Sequence, residues 1–337
     1  MSELEMRPLG PDGPPLSVVG IGAMSFAGVY GDATEEESHR LLDAALDAGV
    51  NHLDTSNVYG MGRSEEICGR WLERYRKRGG QPFRVATKAG ISRDPDTGAR
   101  TFDNSAAHLT RELDGSLKRL GLEQVDLYYV HRRDPRLEIE EVTETLAGFV
   151  RAGKVARIGY SEIAPTSLRR AMAVHPVAAV QSEYSLQTRA PDLGLVDACE
   201  ELGVTLVAFS PVGRGLLTDR PPTTDRVEAS VFLKENPRFT RGNLERNVAA
   251  SEGLRDLAAD LGRSTAALAI AWVLARSRSI VTIPGTRNPD HLAELIDGAT
   301  RPLSADETAE VDRRMPVGWC HGARYSPAQA NGPEDYG

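Results

Sequence analysis

Four side chains that could share one piece of chemistry stand at the ends of β-branched stretches. They are Asp54 and Tyr59 in HLDTSNVYG, Lys88 in RVATKA and His131 in VDLYYVH. An ammonium near a core needs a counter-charge, and Asp54 can supply one. A phenol is a weak acid, with an ordinary pKa of about 10. A cation beside Tyr59 would stabilise the phenolate and tune the group toward general acid work. A neutral imidazole at His131 can donate an N–H to a substrate oxygen. Each residue alone has a bland explanation: Asp54 a turn cap, Tyr59 packing, His131 a satisfied polar group, Lys88 a snorkelling chain. The functional reading comes from all four lying at three successive strand ends.

The elements that would place them there recur along the chain. Short apolar runs at 18–22, 51–56, 84–89, 125–131, 154–161, 177–183, 205–210 and 279–284 read as strands. Several are apolar throughout rather than alternating, as in strands covered on both faces. Helical patterns fall between them, at 35–49, 63–78, 108–121, 139–154 and 193–203. In the first, Leu41, Leu42, Ala45 and Leu46 share a face, and Thr34 with Glu37 forms a capping box. Ser304 with Glu307 repeats that box before a last helix. Eight strands, each leading into helix, predict an α/β fold, the (β/α)8 TIM barrel, whose chemistry sits where the strands end. A doubly wound sheet is the rival. Its glycine fingerprint is incomplete here, because GIGAMS has Ser25 at the third glycine position and no ribose-binding acid completes it.

No linker rich in Gly, Ser or Pro divides the 337 residues, which predicts one barrel domain. Residues 1–17 read as a hairpin around a Pro–Asp–Gly turn that plugs the barrel floor. Residues 212–247, after the seventh strand, form a long irregular loop, and such loops are usually functional. Residues 326–337 read as a flexible tail that frays, while Trp319 and His321 just before it either line the pocket or pack.

Net charge is −8 with no basic block, which disfavours a nucleic-acid partner. No apolar run approaches the ~20 residues of a membrane span, and the start MSELEMRPLG has no signal-peptide pattern, so a cytoplasmic location is expected. Cys68, Cys199 and Cys320 form no CxxC pair and the histidines no ligand spacing, so no metal is assigned.

At the level of motifs the chain resembles the aldo-keto reductase superfamily over nearly its whole length. HLDTSNVYG, VATKAG and DLYYVHRRDP match the family's aspartate–tyrosine, lysine and histidine segments. The resemblance implies a metal-free barrel that reduces carbonyls with NADPH, with Asp54, Tyr59, Lys88 and His131 as the tetrad and Tyr59 as proton donor. It implies that Ser161, Glu162 and Gln181 hold the nicotinamide carboxamide and that the ring stacks on Phe209. Gly22, Ala23 and Met24 would border the cofactor. Ser210, Pro211, Gly213, Arg214, Gly215 and Leu216 would lie over the pyrophosphate, and 212–247 would fold across it. Pro284, Gly285, Thr286, Arg287, His291 and Glu294 would surround the adenosine 2′-phosphate, which favours NADPH over NADH. The chain departs from frequent family residues at Glu162, Gly285, His291 and Leu295. Met24, Tyr30, Arg132 and Phe232 are the substrate-pocket candidates.

The resulting expectation is an NADPH-dependent reductase of small aldehydes or ketones, with a small-molecule carbonyl partner and an open oligomeric state. An NADP-binding regulatory subunit like the potassium-channel β subunits is the alternative. A non-redox barrel using Lys88 as a Schiff base is disfavoured, since a paired carboxylate keeps the amine protonated.

Overall fold

The computed structural model describes residues 4–77, 80–94 and 96–336. Met1 to Glu3 at the start of the expected hairpin, Arg78 at the expected end of the second helix and Gly337 lie outside them.

Eight parallel strands form the barrel: β3 (Ile21–Gly22), β4 (His52–Asp54), β5 (Arg84–Ala89), β8 (Leu127–Val130), β9 (Ile158–Ser161), β10 (Val177–Glu183), β11 (Thr205–Phe209) and β12 (Ile280–Ile283). The seam between first and last strands is closed by backbone bonds: Gly20 N–H to Thr282 O at 2.7 Å and Thr282 N–H to Val18 O at 2.8 Å. The strands match the expected runs, shortened by one to four residues at several ends where the chain leaves the ladder. Side chains alternate between faces along each strand. Inward positions Ala86, Leu127, Tyr129, Ala179, Val207 and Val281 make a small inner core, and the larger core lies between strands and helices.

The barrel floor is closed by a hairpin of β1 (Met6–Pro8) and β2 (Pro15–Ser17), whose Leu9 and Leu16 pack into the inner core. Thr205 Oγ1 fixes it by accepting from Gly10 N–H and donating to Pro8 O, each at 2.7 Å. Gly10 has φ +72°, and a Cβ there would meet Ala178 Cα at 2.5 Å, so only glycine fits.

The surrounding helices are α1 (Glu35–Asp47), α2 (Arg63–Arg76), α3 (Ala106–Leu120), α4 (Ile139–Arg151), α5 (Pro165–Met172), α6 (Leu195–Leu202), α7 (Thr224–Ala229), α8 (Asn243–Ala250), α9 (Glu252–Asp260), α10 (Thr265–Ala275), α11 (Pro289–Thr300), α12 (Ala305–Arg314) and α13 (Pro327–Ala330). The capping boxes before α1 and α12 are both made, with reciprocal bonds between Thr34 and Glu37 and between Ser304 and Glu307. No single helix among the described residues is long and apolar enough to cross a membrane.

Three loop regions differ from the expectation. An antiparallel hairpin of β6 (Ile91–Arg93) and β7 (Arg100–Phe102), with no sequence signal beyond its Asp–Thr–Gly turn, rises after β5. The stretch 212–247 is not irregular throughout. It carries α7 and the start of α8, and it builds its own apolar cluster from Leu216, Val227, Leu233, Phe239 and Leu244. The tail is docked rather than frayed. Glu334 N–H donates to Glu162 O at 2.9 Å, Glu334 Oε2 accepts from Ala164 N–H at 2.8 Å, and Tyr336 Oη lies 3.2 Å from Ser182 Oγ. A polar composition leaves a tail free to pair with polar loop ends, and at this barrel mouth such partners are at hand.

Candidate active site

The inward alternation that fills the barrel below turns polar at its C-terminal end. Asp54 and Lys88 occupy the last inward positions of their strands, Gln181 the last but one of β10, and all are buried. Lys88 Nζ donates to Asp54 Oδ1 and to Thr55 O, the latter at 2.9 Å. The second Asp54 oxygen accepts from Gln181 Nε2 at 2.8 Å. Removing a charge from water is costly unless it is paired and hydrogen-bonded, and here both conditions hold. Burial lowers the Lys88 pKa and Asp54 opposes that shift.

Tyr59 sits in the turn after β4, its N–H bonded to Ser56 O at 3.2 Å. Its ring lies edge-on to His131 at 5.7 Å, and Lys88 Nζ stands 5.2 Å from the ring centre. The expectation that Lys88 lowers the Tyr59 pKa is reversed. The phenol is pushed above its ordinary value, by burial first and then by the Asp54 charge, with Arg132 opposing. The Lys88 ammonium is paired with Asp54, and burial outweighs its effect on the phenol. Tyr59 therefore holds its proton at neutral pH. His131 is held neutral, its pKa driven well below the usual range by burial and then by Arg132, Lys88 and Arg100. Ser56 Oγ lies 3.1 Å from its Nδ1, which leaves Nε2 for a ligand.

One cavity of about 1970 Å³ reaches from Asp54, Tyr59 and His131 to His291 and Glu294. That exceeds the ~300–1,000 Å³ of an ordinary small-molecule site. Of the residues expected at the cofactor, Gly22, Met24, Ser161, Gln181 and Phe209 border it. So do Ser210, Pro211, Arg214 and Gly215, and at the far end Gly285, Thr286, Arg287, His291 and Glu294. Tyr30, Arg132 and Phe232 line it too, with Tyr30 and Phe232 edge to face at 5.7 Å.

Six expected residues do not line the cavity: Ala23, Lys88, Glu162, Gly213, Leu216 and Pro284. Lys88 is fully buried, its Nζ turned to Asp54 and to Thr55 O. Leu216 is buried in the cluster of the long loop, and Pro284 O holds Gly22 N–H at the barrel seam. Glu162 is turned away, its carboxylate accepting from Arg324 and from Glu183 N–H. Arg214, expected over a pyrophosphate, donates to buried Glu183 at 2.6 Å. Trp319 and His321 also face elsewhere: Trp319 Nε1 bonds Leu186 O and His321 is clamped by Asn247.

Sequence reasoning missed an ionic knot at the rim. Glu183 accepts from Arg214, from Arg324 at 2.8 Å and from Thr188 Oγ1 at 2.9 Å, with Arg238 at 3.5 Å. Its arginine partners come from the loop after β11 and from the C-terminal segment. No local pattern could have joined them. Four of the five non-glycine residues with positive φ among those described, Met61, Glu162, Ser210 and Arg214, lie in loops at this mouth. Such backbone is costly and is retained where the surroundings over-determine it, commonly at functional sites.

Comparison with known proteins decides the family. The model of the Aldo/keto reductase family matches residues 18–314. The chain belongs to that family. An NADP(+) aldo-keto reductase, yakc of Schizosaccharomyces pombe, is 35% identical over 324 residues, covering 95% of this chain and 94% of that one. A probable aldo-keto reductase 1 of Glycine max is 35% identical over 330 residues, 96% and 93% of the two chains. The solved structure of glycerol dehydrogenase AKR11B4 from Gluconobacter oxydans superposes with a TM-score of 0.78 at 29% identity, covering 93% of this chain and 95% of that one. This aldo-keto reductase thus matches the family model over the whole eight-stranded barrel.

Proposed function

We propose that this aldo-keto reductase reduces small aldehydes or ketones to alcohols with NADPH, using Tyr59 as the proton donor. The observation that carries the reading is the convergence of a protonated Tyr59 and a neutral His131 on one cavity, above the buried Asp54–Lys88 pair. The fungal relative is named for NADP(+). The residues present fit such a cofactor: the cavity is large enough for a dinucleotide beside a small substrate, and the flat Phe209 ring borders its inner end. At the outer end Arg287 and Thr286 stand before the N-terminus of α11, where the helix dipole favours an anion. NADPH, when bound, supplies a hydride to the carbonyl carbon.

The protein's own groups do the rest. His131 Nε2 orients the carbonyl oxygen by hydrogen bonding. Tyr59 gives its proton to that oxygen as negative charge develops there, and Lys88 stands close enough to stabilise the phenolate left behind. Solvent then returns the proton to Tyr59. Ser161 and Gln181, which border the cavity, would hold the cofactor's carboxamide, and Phe209 would support its ring.

The test is NADPH oxidation with a reactive aromatic aldehyde, wild type beside Tyr59→Phe. Tyr59→Phe should bind NADPH as wild type does and lose turnover by about 10²–10⁴-fold. Turnover retained within a factor of a few would sink the proton-donor role.

A further inference from the structure

We infer that the substrate is an anionic carbonyl compound, an aldehyde or ketone bearing a carboxylate, which Arg132 and Arg100 bind while its carbonyl lies at Tyr59 and His131. The inference rests on the reductase reading above and narrows it to a substrate class.

Arg132 carries most of the weight. It is only 7% exposed and lines the cavity directly after His131 in the chain. Every acceptor it meets is uncharged: His131 O at 2.6 Å, Ser161 Oγ at 3.0 Å and Tyr325 Oη at 3.5 Å. Its Nε has no partner. Among the described residues no carboxylate lies within ion-pair distance of it. A buried cation without a counter-ion is costly, and proteins ordinarily supply one. The contrast within this molecule is direct, since Arg214, Arg238 and Arg324, at the same mouth, all converge on Glu183.

The neighbouring acids are engaged elsewhere. Asp134 is held by Arg136, through both its guanidinium and its backbone N–H, and Glu112 by Asn57 and Arg111. The β6–β7 hairpin adds charge of the same sign. Arg93 and Arg100 both border the cavity, Arg93 bonded to Gly98 O and Arg100 without a carboxylate partner among the described residues. Arg100 keeps an exposed side at the cavity mouth, and partial burial and then the charge of Arg132, which lines the same cavity, lower its pKa. A carboxylate there would offset these charges and accept parallel hydrogen bonds from a guanidinium. The chain's net charge of −8 does not favour anions at long range. The attraction is local, at the end of the cavity where the carbonyl chemistry is placed.

The experiment compares 4-formylbenzoate with its neutral methyl ester, at saturating NADPH and low salt. We expect kcat/KM to favour the acid by about tenfold or more, mainly through KM, with added salt narrowing the gap. Arg100→Gln should cut that preference about tenfold. Arg132 is less suitable for this test, because it also holds the His131 carbonyl. An ester used as well as the acid, with a ratio unmoved by Arg100→Gln, overturns the inference. If wild type turns over neither aldehyde, the reductase reading is what has failed. The charge site is then read by fluorescence titration of the NADPH-loaded protein with 4-methylbenzoate and 4-methylbenzamide. Tighter binding of the acid, weakened by Arg100→Gln, supports the site, and equal or absent binding overturns it.

Discussion

Asp54 with Lys88, and Glu183 with its arginines, are both buried ionic groups at the top of one barrel, yet they are built differently. The first is a lone pair on adjacent strands, set by the β4–β5 register in which Asp54 stands beside Ala86, two residues before Lys88. Its partners are few: one ammonium, one amide and one backbone carbonyl. The second gathers guanidinium groups from positions 214, 238 and 324 onto one carboxylate. The pair belongs to rigid strands, so it can hold a charge close to Tyr59 with little motion. The knot belongs to loops, and its work is to tie the long loop and the C-terminal segment to the barrel.

The largest effect should come from breaking the pair. Lys88→Met leaves Asp54 buried and uncompensated. We expect unfolding free energy to fall by about 3–5 kcal/mol in urea titrations, and kcat to fall ~10²-fold or more. Adding Asp54→Asn should restore most of the stability, since no buried charge remains, but not the activity. Recovery of both would mean that the pair is structural only.

Breaking the knot should cost less stability and act on binding. Glu183→Gln leaves guanidinium groups facing one another, and a loss of about 1.5–3 kcal/mol is expected. KM for NADPH should rise more than kcat falls, because Arg214 and the loop over the cavity lose their anchor. An equal fall in kcat with KM unchanged would contradict the anchoring role.

The smallest effect is the pH dependence of that anchor. Burial raises the Glu183 pKa, but Arg214, Arg324 and Arg238 outweigh it and hold the carboxyl at about 2, below its ordinary 4.5. A depressed carboxyl contributes stability that is complete above about pH 4.5 and is lost as pH falls through about 2. The stability difference between wild type and Glu183→Gln should therefore shrink across that window. A difference that stays constant down to pH 2 would show that the knot does not titrate there.

The barrel was legible because each strand and helix carries a local signal: apolar runs, caps at Thr34 and Ser304, and glycines at helix ends. The grouping of Asp54, Tyr59, Lys88 and His131 was legible because they stand at or just after strand ends, where the fold itself brings neighbours together. The direction in which the Tyr59 pKa moves was not legible. It depends first on how deeply the ring is buried and then on its distance from Asp54, and both are matters of three-dimensional structure. Glu162 shows the same limit, since the sequence places it next to Ser161 but the φ of +61° at that residue turns its carboxylate toward Arg324.

The sequence by itself determined the periodicities, and with them the eight-stranded barrel, its plugged floor and the residues at the strand ends. Those depend on contacts between neighbours in the chain or between adjacent strands. The tertiary structure alone decided what spans large separations: the docking of 326–336, the gathering of Arg214, Arg238 and Arg324 on Glu183, and the exposure of Arg100 and Arg132 to one cavity without a carboxylate partner among the described residues. The reason is that charge pairing is set by distance in space, and residues a hundred positions apart carry no local mark of which partner they will meet.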